Sequence, residues 1–428
     1  MMKKNAILVI LLVAGTCFPA IPITPGWYEI PNTKLQAVDA CFNGYSYACG
    51  NSTGGIYAWS GGVFDTKRNR LLIHGGGHAD YRGNEFYALS LNQLTLARIN
   101  APGSPTASGC QEAIANGTQA NSRHTYDGIS YMDNVDKMYV FSGSLHCSSG
   151  DYGTWTWTFD FTGMAWTHVT PSGTGPNGAF GICSAYDPNT GKVFVNDLGY
   201  LYAYDPVANT YQKFTGSYRY GIDYHMCSVI DPKRKKFIML GGGQALMFSI
   251  AAGSTYACST LTTTGGSAVS GAGYPGLAYD PVRDRIVAWV GGNTVYSLNM
   301  DTRAWTATSG YTGGPGPANG TGTYKRWSYV PAMDLFVLNN TYGQNSFTFR
   351  FPGGTAPEAG KRGVTARGIA SRADLYNLRG QKIRTLEPGA IGASGRLLDA
   401  GGLASGLYLV KAAAGSNGTP GRVVFAGK

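Results

Sequence analysis

Charge is scarce in this sequence: Asp, Glu, Lys and Arg together make up 14% of its 428 residues. So few charges, beside a hydrophobic share of 43%, exclude a disordered chain and leave ample material for a packed core. Long apolar runs are scarce as well. Ala6 to Ala14 follows Lys3 and Lys4, precedes small residues and is too short to span a bilayer, so residues 1–20 read as a secretory signal and no membrane span is expected. Cys17 as a lipid anchor is the alternative there, with Ala14-Gly15-Thr16 a poor lead-in. Seven further cysteines show no CxxC or zinc-finger spacing. Cys41 and Cys49 form the easiest local pair, and the odd number leaves at least one cysteine outside such bonds. No GxSxG element is present, which removes the serine-hydrolase elbow. Strong helix formers give way to 62 Gly and 28 Tyr, a mix that favours strands joined by tight turns.

The net charge of +10 is unevenly placed. Residues 353–428 hold 11 basic and 4 acidic residues, whereas residues 25–352 hold 21 basic and 20 acidic ones. The main part of the chain is nearly neutral and carries no basic stripe suited to a phosphate backbone, so nucleic acid is not expected as a partner. The run Lys233, Arg234, Lys235, Lys236 reads as a solvated hairpin turn.

A repeat organises residues 60–352. Each copy is a short apolar strand, a turn often led by Asp-Pro, then a second apolar strand, as in Ser184-Ala-Tyr-Asp-Pro-Asn-Thr-Gly-Lys-Val-Phe-Val and Leu277-Ala-Tyr-Asp-Pro-Val-Arg-Asp-Arg-Ile-Val-Ala-Trp. A second strand pair follows each hairpin. Four antiparallel strands per repeat predict an all-β fold, a β-propeller over residues 25–352. Six copies are countable, and a seventh blade could sit in a diverged stretch, so six and seven both stay open. The strand from Gly26 is expected to close the ring on the last blade. Trp157, Trp166, Trp289 and Trp305 read as packing residues between blades. Residues 353–368, rich in Gly, Ala and basic residues, read as a linker, and residues 369–428 alternate like the strands of a small β-sandwich.

Propeller ligands bind where the loops entering each inner strand meet the loops joining the second and third strands. Sorted by loop, His78, Tyr81 and Asn84 fall in the link of repeat one, His124 before repeat two, and His146 in the link of repeat two. Tyr200 falls in the link of repeat three, Tyr224 and His225 before repeat four, Tyr274 before repeat five and Arg326 before repeat six. Four of the six histidines therefore share one face, and His74 lies beside it. A glycoside hydrolase needs two opposed carboxylates, and Asp80, Glu85, Asp127 and Asp223 look placed for other work. A uronate lyase fits these residue types better: a cation neutralises the sugar carboxylate, and Tyr or His moves the protons. No cofactor is required for this chemistry, and the loop histidines leave room for a structural metal ion.

His74-Gly-Gly-Gly-His-Ala-Asp-Tyr-Arg-Gly-Asn-Glu85 and Ser122-Arg-His-Thr-Tyr126 resemble the propeller ulvan lyases, particularly polysaccharide lyase family 25, and the resemblance spans roughly residues 25–350. It implies a seven-bladed propeller that cleaves an acidic, sulfated, uronate-containing polysaccharide by β-elimination. It further implies catalytic roles for His124, His146, Tyr200 and Arg219, with Tyr220 or Tyr224 as alternatives to Tyr200. His78, Tyr81, Asn84, Tyr224, His225, Tyr274 and Arg326 are then expected to bind substrate. The segments Ala373-Asp-Leu-Tyr-Asn-Leu-Arg-Gly-Gln-Lys-Ile and Gly402-Leu-Ala-Ser-Gly-Leu-Tyr-Leu-Val-Lys resemble the sorting domains of type IX secretion. That resemblance implies a cell-surface or extracellular destination in a Gram-negative bacterium, reached through the type IX machinery; the chain itself is expected to be a monomer. Two other readings stand beside the lyase: a kelch-type propeller that binds carbohydrate without cleaving it, and a copper-radical oxidase built around Cys227, Tyr224 and His225.

Overall fold

The computed structural model describes residues 20–51, 55–104 and 110–353, together with four strands further on. The expected signal (1–20, Cys17 included) and the linker (353–368) lie outside these residues, save Ala20 and Gly353.

Six four-stranded antiparallel sheets follow one another along the chain. Their inner strands are Gly61–Asp65, Ile129–Met132, Cys183–Asp187, Cys227–Asp231, Gly276–Asp280 and Trp327–Val330, and they define blades 1 to 6 in that order. The ring closes as the sequence suggested: Gly26–Ile30 pairs antiparallel with Ser346–Arg350 as the outermost strand of blade 6. The blade number is six, not the seven that the resemblance implied. No diverged stretch among the described residues hides a seventh, because the described residues between 99 and 128 make only short hairpin pieces that extend the loops of blades 1 and 2.

The repeated Asp acts as a turn cap. Asp65, Asp231 and Asp280 are buried at the ends of their inner strands and accept hydrogen bonds from the N–H groups of Arg68, Arg234 and Arg283, each at 3.0 Å. Each of these turns also holds a left-handed residue (Asn69, Lys235, Asp284) before the chain returns. The apolar residues of each blade pack against the next, so the core is a series of interblade layers. Val63, Leu72 and Phe86 of blade 1 meet Met138, Val140 and Trp157 of blade 2, and Leu240 of blade 4 meets Leu277 and Ile286 of blade 5. Trp157, Trp166 and Trp289 are buried in such layers, and Trp305 packs against one, as expected.

The Lys233–Lys236 turn is exposed at Lys233 and Lys235, as expected, yet two of its cations also bind carboxylates. The Arg234 guanidinium bridges Asp231 of its own blade at 3.0 Å and Asp284 of the next blade at 2.7 Å, and Lys233 joins Asp284 at 2.6 Å. Arg68 does the same between Asp65 and Asp136 of blades 1 and 2. Asp136 and Asp284 are held well below the usual carboxylate range by these cations, against the upward push of burial.

Beyond the propeller, Ala373–Tyr376, Lys382–Leu386, Gly406–Ala412 and Arg422–Ala426 form a single antiparallel sheet, with Ala373–Tyr376 and Gly406–Ala412 central. The sandwich expected there is represented among the described residues by this one sheet. None of the described helices is long and apolar enough to cross a membrane.

Candidate functional site

The loops entering the inner strands are stitched side to side by backbone hydrogen bonds. Tyr126 N–H donates to the Trp59 carbonyl at 2.9 Å, Tyr274 N–H to the His225 carbonyl at 2.8 Å, and Thr323 N–H to the Tyr274 carbonyl at 3.0 Å. These bonds join blade 1 to blade 2 and blades 4, 5 and 6 to one another at one end of the channel. In five of the six blades the residue two or three positions before the inner strand is left-handed: Trp59, Tyr126, Gly181, Tyr274 and Tyr324, with φ between 47° and 70°. Four of them are bulky aromatics, for which that conformation is strained and must be held by its surroundings.

The rings so placed touch in sequence. His78 lies 6.0 Å from His124, and His124 lies 5.7 Å from Tyr126. Tyr126 is 6.1 Å from Tyr324, Tyr324 is 5.2 Å from Tyr274, and Tyr274 is 4.8 Å from His225, ring centre to ring centre. Tyr224 stacks on His225 at 3.9 Å. An arc of imidazoles and phenols thus crosses the channel mouth, contributed by blades 1, 2, 4, 5 and 6.

At one end of the arc, Arg123–His124 pairs with Ser144–Leu145, and His78 bridges to His146 through N–H donors to backbone carbonyls. This small mat brings His78, His124 and His146 together. His124 Nε2 lies 3.0 Å from Asp80 Oδ2, and its Nδ1 lies 3.4 Å from the Tyr126 hydroxyl. Burial pulls the His124 imidazole down to about 4, outweighing the carboxylate beside it. The contact with Asp80 is therefore a hydrogen bond from a neutral ring, with Nε2–H donating and Nδ1 accepting from Tyr126. His146 is half-buried and lowered by that burial and by the Arg82 charge, and its Nδ1 has no hydrogen-bond partner.

At the other end, His225 Nδ1 lies 2.7 Å from Asp223 Oδ1, which also accepts from the His225 N–H at 2.6 Å. A carboxylate only accepts, so Nδ1 carries the hydrogen and Nε2 is left free to accept. The His225 side chain is 35% exposed, enough to meet a ligand. Burial raises the phenols of Tyr126 and Tyr274, so both stay protonated. Tyr324 is fully buried and its hydroxyl has no partner.

Beside Tyr126 and Tyr324 of the arc lies a buried ion pair. Lys325 Nζ contacts Asp127 Oδ1 at 2.8 Å and the Asp127 carbonyl at 2.7 Å, while Ser228 donates its N–H to Asp127 Oδ2 at 3.0 Å. Asp127 is thus a strut between blades 2, 4 and 6, although burial pushes its carboxyl up. A cavity of about 260 Å³ is lined by Lys325 itself with Ser130, Ala185, Ser228, Leu277 and Ser328, and by no ring of the arc.

Several expected site residues are structural. Tyr81 is fully buried, donating to Glu85 Oε1 at 2.6 Å, with Asp39 Oδ1 at 3.2 Å. Asn84 is spent on the Ala120 carbonyl at 2.9 Å, Gln119 and the Gly103 N–H. Arg326 is fully buried and donates to the carbonyls of Ser60, Asn339, Asn340 and Gly322, so it locks blade 6 to blade 1. None of the three reaches the mouth, because each satisfies buried backbone or carboxylate groups that would otherwise be unpaired. Tyr200 packs on Tyr218 at 4.8 Å under Lys213 of the outer strand Thr210–Phe214, 3.7 Å from its ring centre. Arg219 donates its backbone N–H to the Gly199 carbonyl, and its charge acts on the Cys258 thiol of the outer strand Cys258–Thr260. Among the described residues, no hydrogen bond, ion pair or ring contact of Tyr200 or Arg219 reaches the arc.

Sequence reasoning left out Trp59, Tyr126 and Tyr324 as site residues, and Asp80 and Asp223 as orienting groups. The available signal was an aromatic two or three residues ahead of the inner strand in blades 1, 2, 5 and 6. Cys41 pairs with Cys49, as expected, and Cys110 pairs with Cys147, while Cys183, Cys227 and Cys258 are free. Among the described residues, no group of three His, Cys, Asp or Glu side chains is arranged to hold a metal ion.

Fold and site define a six-bladed β-propeller with a polar, aromatic-lined mouth on its loop face. No protein-family model matches the chain, and no curated protein matches it.

Proposed function

We propose that the protein is a polysaccharide lyase that cleaves a uronic-acid-containing, ulvan-like polysaccharide by β-elimination at the channel mouth. One observation supports the reading: an Asp-oriented imidazole with a free Nε2, His225, sits beside a phenol kept protonated, Tyr274. His225 Nε2 takes the C5 proton of the uronate. The electron pair forms the C4–C5 double bond, and the C4–O4 bond breaks as Tyr274 protonates the departing oxygen. Arg82 and Arg219 supply positive charge on the rim rather than at the reacting centre. Secretion belongs to the same reading, and the two disulfides suit an oxidising compartment.

A second reading, carbohydrate binding without cleavage, is favoured by the absence of a described cation in contact with His225 or Tyr274. Incubation with ulvan and a panel of other polyuronates, following the ultraviolet absorbance of unsaturated ends, separates the two. The lyase reading expects a rise that His225→Ala abolishes. Retention of polymer with no rise leaves the binding reading alone.

A further inference from the structure

Most large side chains on this propeller are buried, so exposed aromatics stand out. Tyr152, Phe180 and Tyr224 are 44%, 40% and 46% exposed. They come from three separate loops: the link of blade 2 and the loops entering blades 3 and 4. They nevertheless lie together. Tyr152 and Phe180 meet edge to face at 5.6 Å. Gly181, beside Phe180, is left-handed and packs so tightly on the Tyr224 backbone that any side chain there would collide with the Tyr224 carbonyl. Tyr224 in turn stacks on His225 at the mouth. Tyr152, Phe180, Tyr224 and His225 are thus neighbours in that order: Tyr152 meets Phe180 and Tyr224 meets His225 through their rings, and the Phe180 loop meets Tyr224 through the Gly181 backbone.

Phe180 carries the argument. A phenylalanine has no polar tip to reward exposure, and an exposed ring loses hydrophobic free energy unless something covers it. Tyr152 and Phe180 could have packed inward, as the blade aromatics do, yet the loops hold them in solvent. Pyranose rings offer the matching surface: flat faces of C–H groups with hydroxyls at the edge, stacking on aromatic faces while the hydroxyls stay wet.

We propose that Tyr152, Phe180 and Tyr224 form stacking subsites for successive sugar residues of a polysaccharide chain whose reacting unit sits at His225. The inference rests on the polysaccharide-lyase reading for its substrate, but it assigns a separate function, the gripping of residues beyond the one cleaved.

The test uses the full chain and ulvan oligosaccharides of graded length. Affinity is measured by calorimetry, and cleavage by absorbance of unsaturated ends. For the unaltered protein, affinity is expected to rise with length. Tyr152→Ala and Phe180→Ala should each weaken binding of long oligomers roughly three- to tenfold, the scale of one aromatic stack, and leave the shortest cleaved or bound oligomer unaffected. Met164→Ala, an exposed apolar change on an outer hairpin turn of blade 2, serves as control and should change nothing. Circular dichroism melts confirm that each variant folds. Length-independent affinity, or equal loss for short and long oligomers, overturns the stacking subsites even if cleavage proceeds. Length-dependent binding lost in both variants without any cleavage upholds the stacking subsites and overturns the lyase reading. No binding and no cleavage overturns both.

Discussion

At the scale of single residues, similar side chains do opposite work because their surroundings differ. His124 and His225 each meet an aspartate, but His124 is buried and spends both ring nitrogens, whereas His225 keeps one free. His225→Ala is therefore expected to lower the elimination rate by roughly 10²- to 10⁴-fold, the range for loss of a positioned base. Asp223→Asn should lower kcat less and leave KM nearly unchanged, because it disturbs the tautomer and not the binding; steady-state kinetics check both. Arg326 shows the reverse case, a charged residue that looked like a ligand for anions and is spent on four carbonyls. Arg326→Met should cost about 3–5 kcal/mol, since the buried acceptors it leaves have no replacement donor. Denaturant melts read that loss directly, and a cost under 1 kcal/mol would contradict the role.

At the scale of elements, the blades are joined in two ways. Apolar layers fill the spaces between them, and arginines in the inner hairpins clasp neighbouring turns. Arg234→Ala leaves the fully buried Asp231 carboxylate without its cation, so a loss of about 1–3 kcal/mol is expected. Lys233→Ala, removing a side chain 63% exposed, should cost under ~0.5 kcal/mol. The closing strand is the other vulnerable element. A chain beginning after Ile30 leaves Ser346–Arg350 as an open edge, and is expected to melt earlier and to self-associate, as scanning calorimetry and gel filtration would show.

At the scale of the whole molecule, acid acts through groups that burial has shifted in opposite directions. His74, stacked on Phe86 and buried, is pulled down to about 4 from 6.5, as His124 is. Between those values the unfolded chain binds the proton first, so this contribution to stability is complete above pH 6.5 and is lost as pH falls toward 4. The buried carboxyls of Glu85 and Asp127 are pushed up and oppose the trend. The difference between His74→Phe and the unaltered protein isolates the imidazole. Relative to the unaltered protein, the variant should gain a few kcal/mol between pH 6.5 and 4 and be flat above, by thermal melts across pH.

The repeat pattern alone determined the all-β class, the six hairpins and the closing strand, because turn capping by Asp and the two-residue period of strands are local. It also indicated which loops share a face, and so gathered His78, His124, His146 and His225. What each side chain does there was decided only by the tertiary structure. Tyr81, Asn84 and Arg326 sit in loops of the right kind, yet their partners are carbonyls and carboxylates distant in sequence, and burial against those partners removes them from the mouth. Tyr126 and Tyr274 lie at the mouth on a left-handed backbone, a conformation that neighbouring blades hold and no local sequence preference announces. Strand pairing is a property of short segments, whereas the direction of a side chain at a ring's centre depends on all six blades at once.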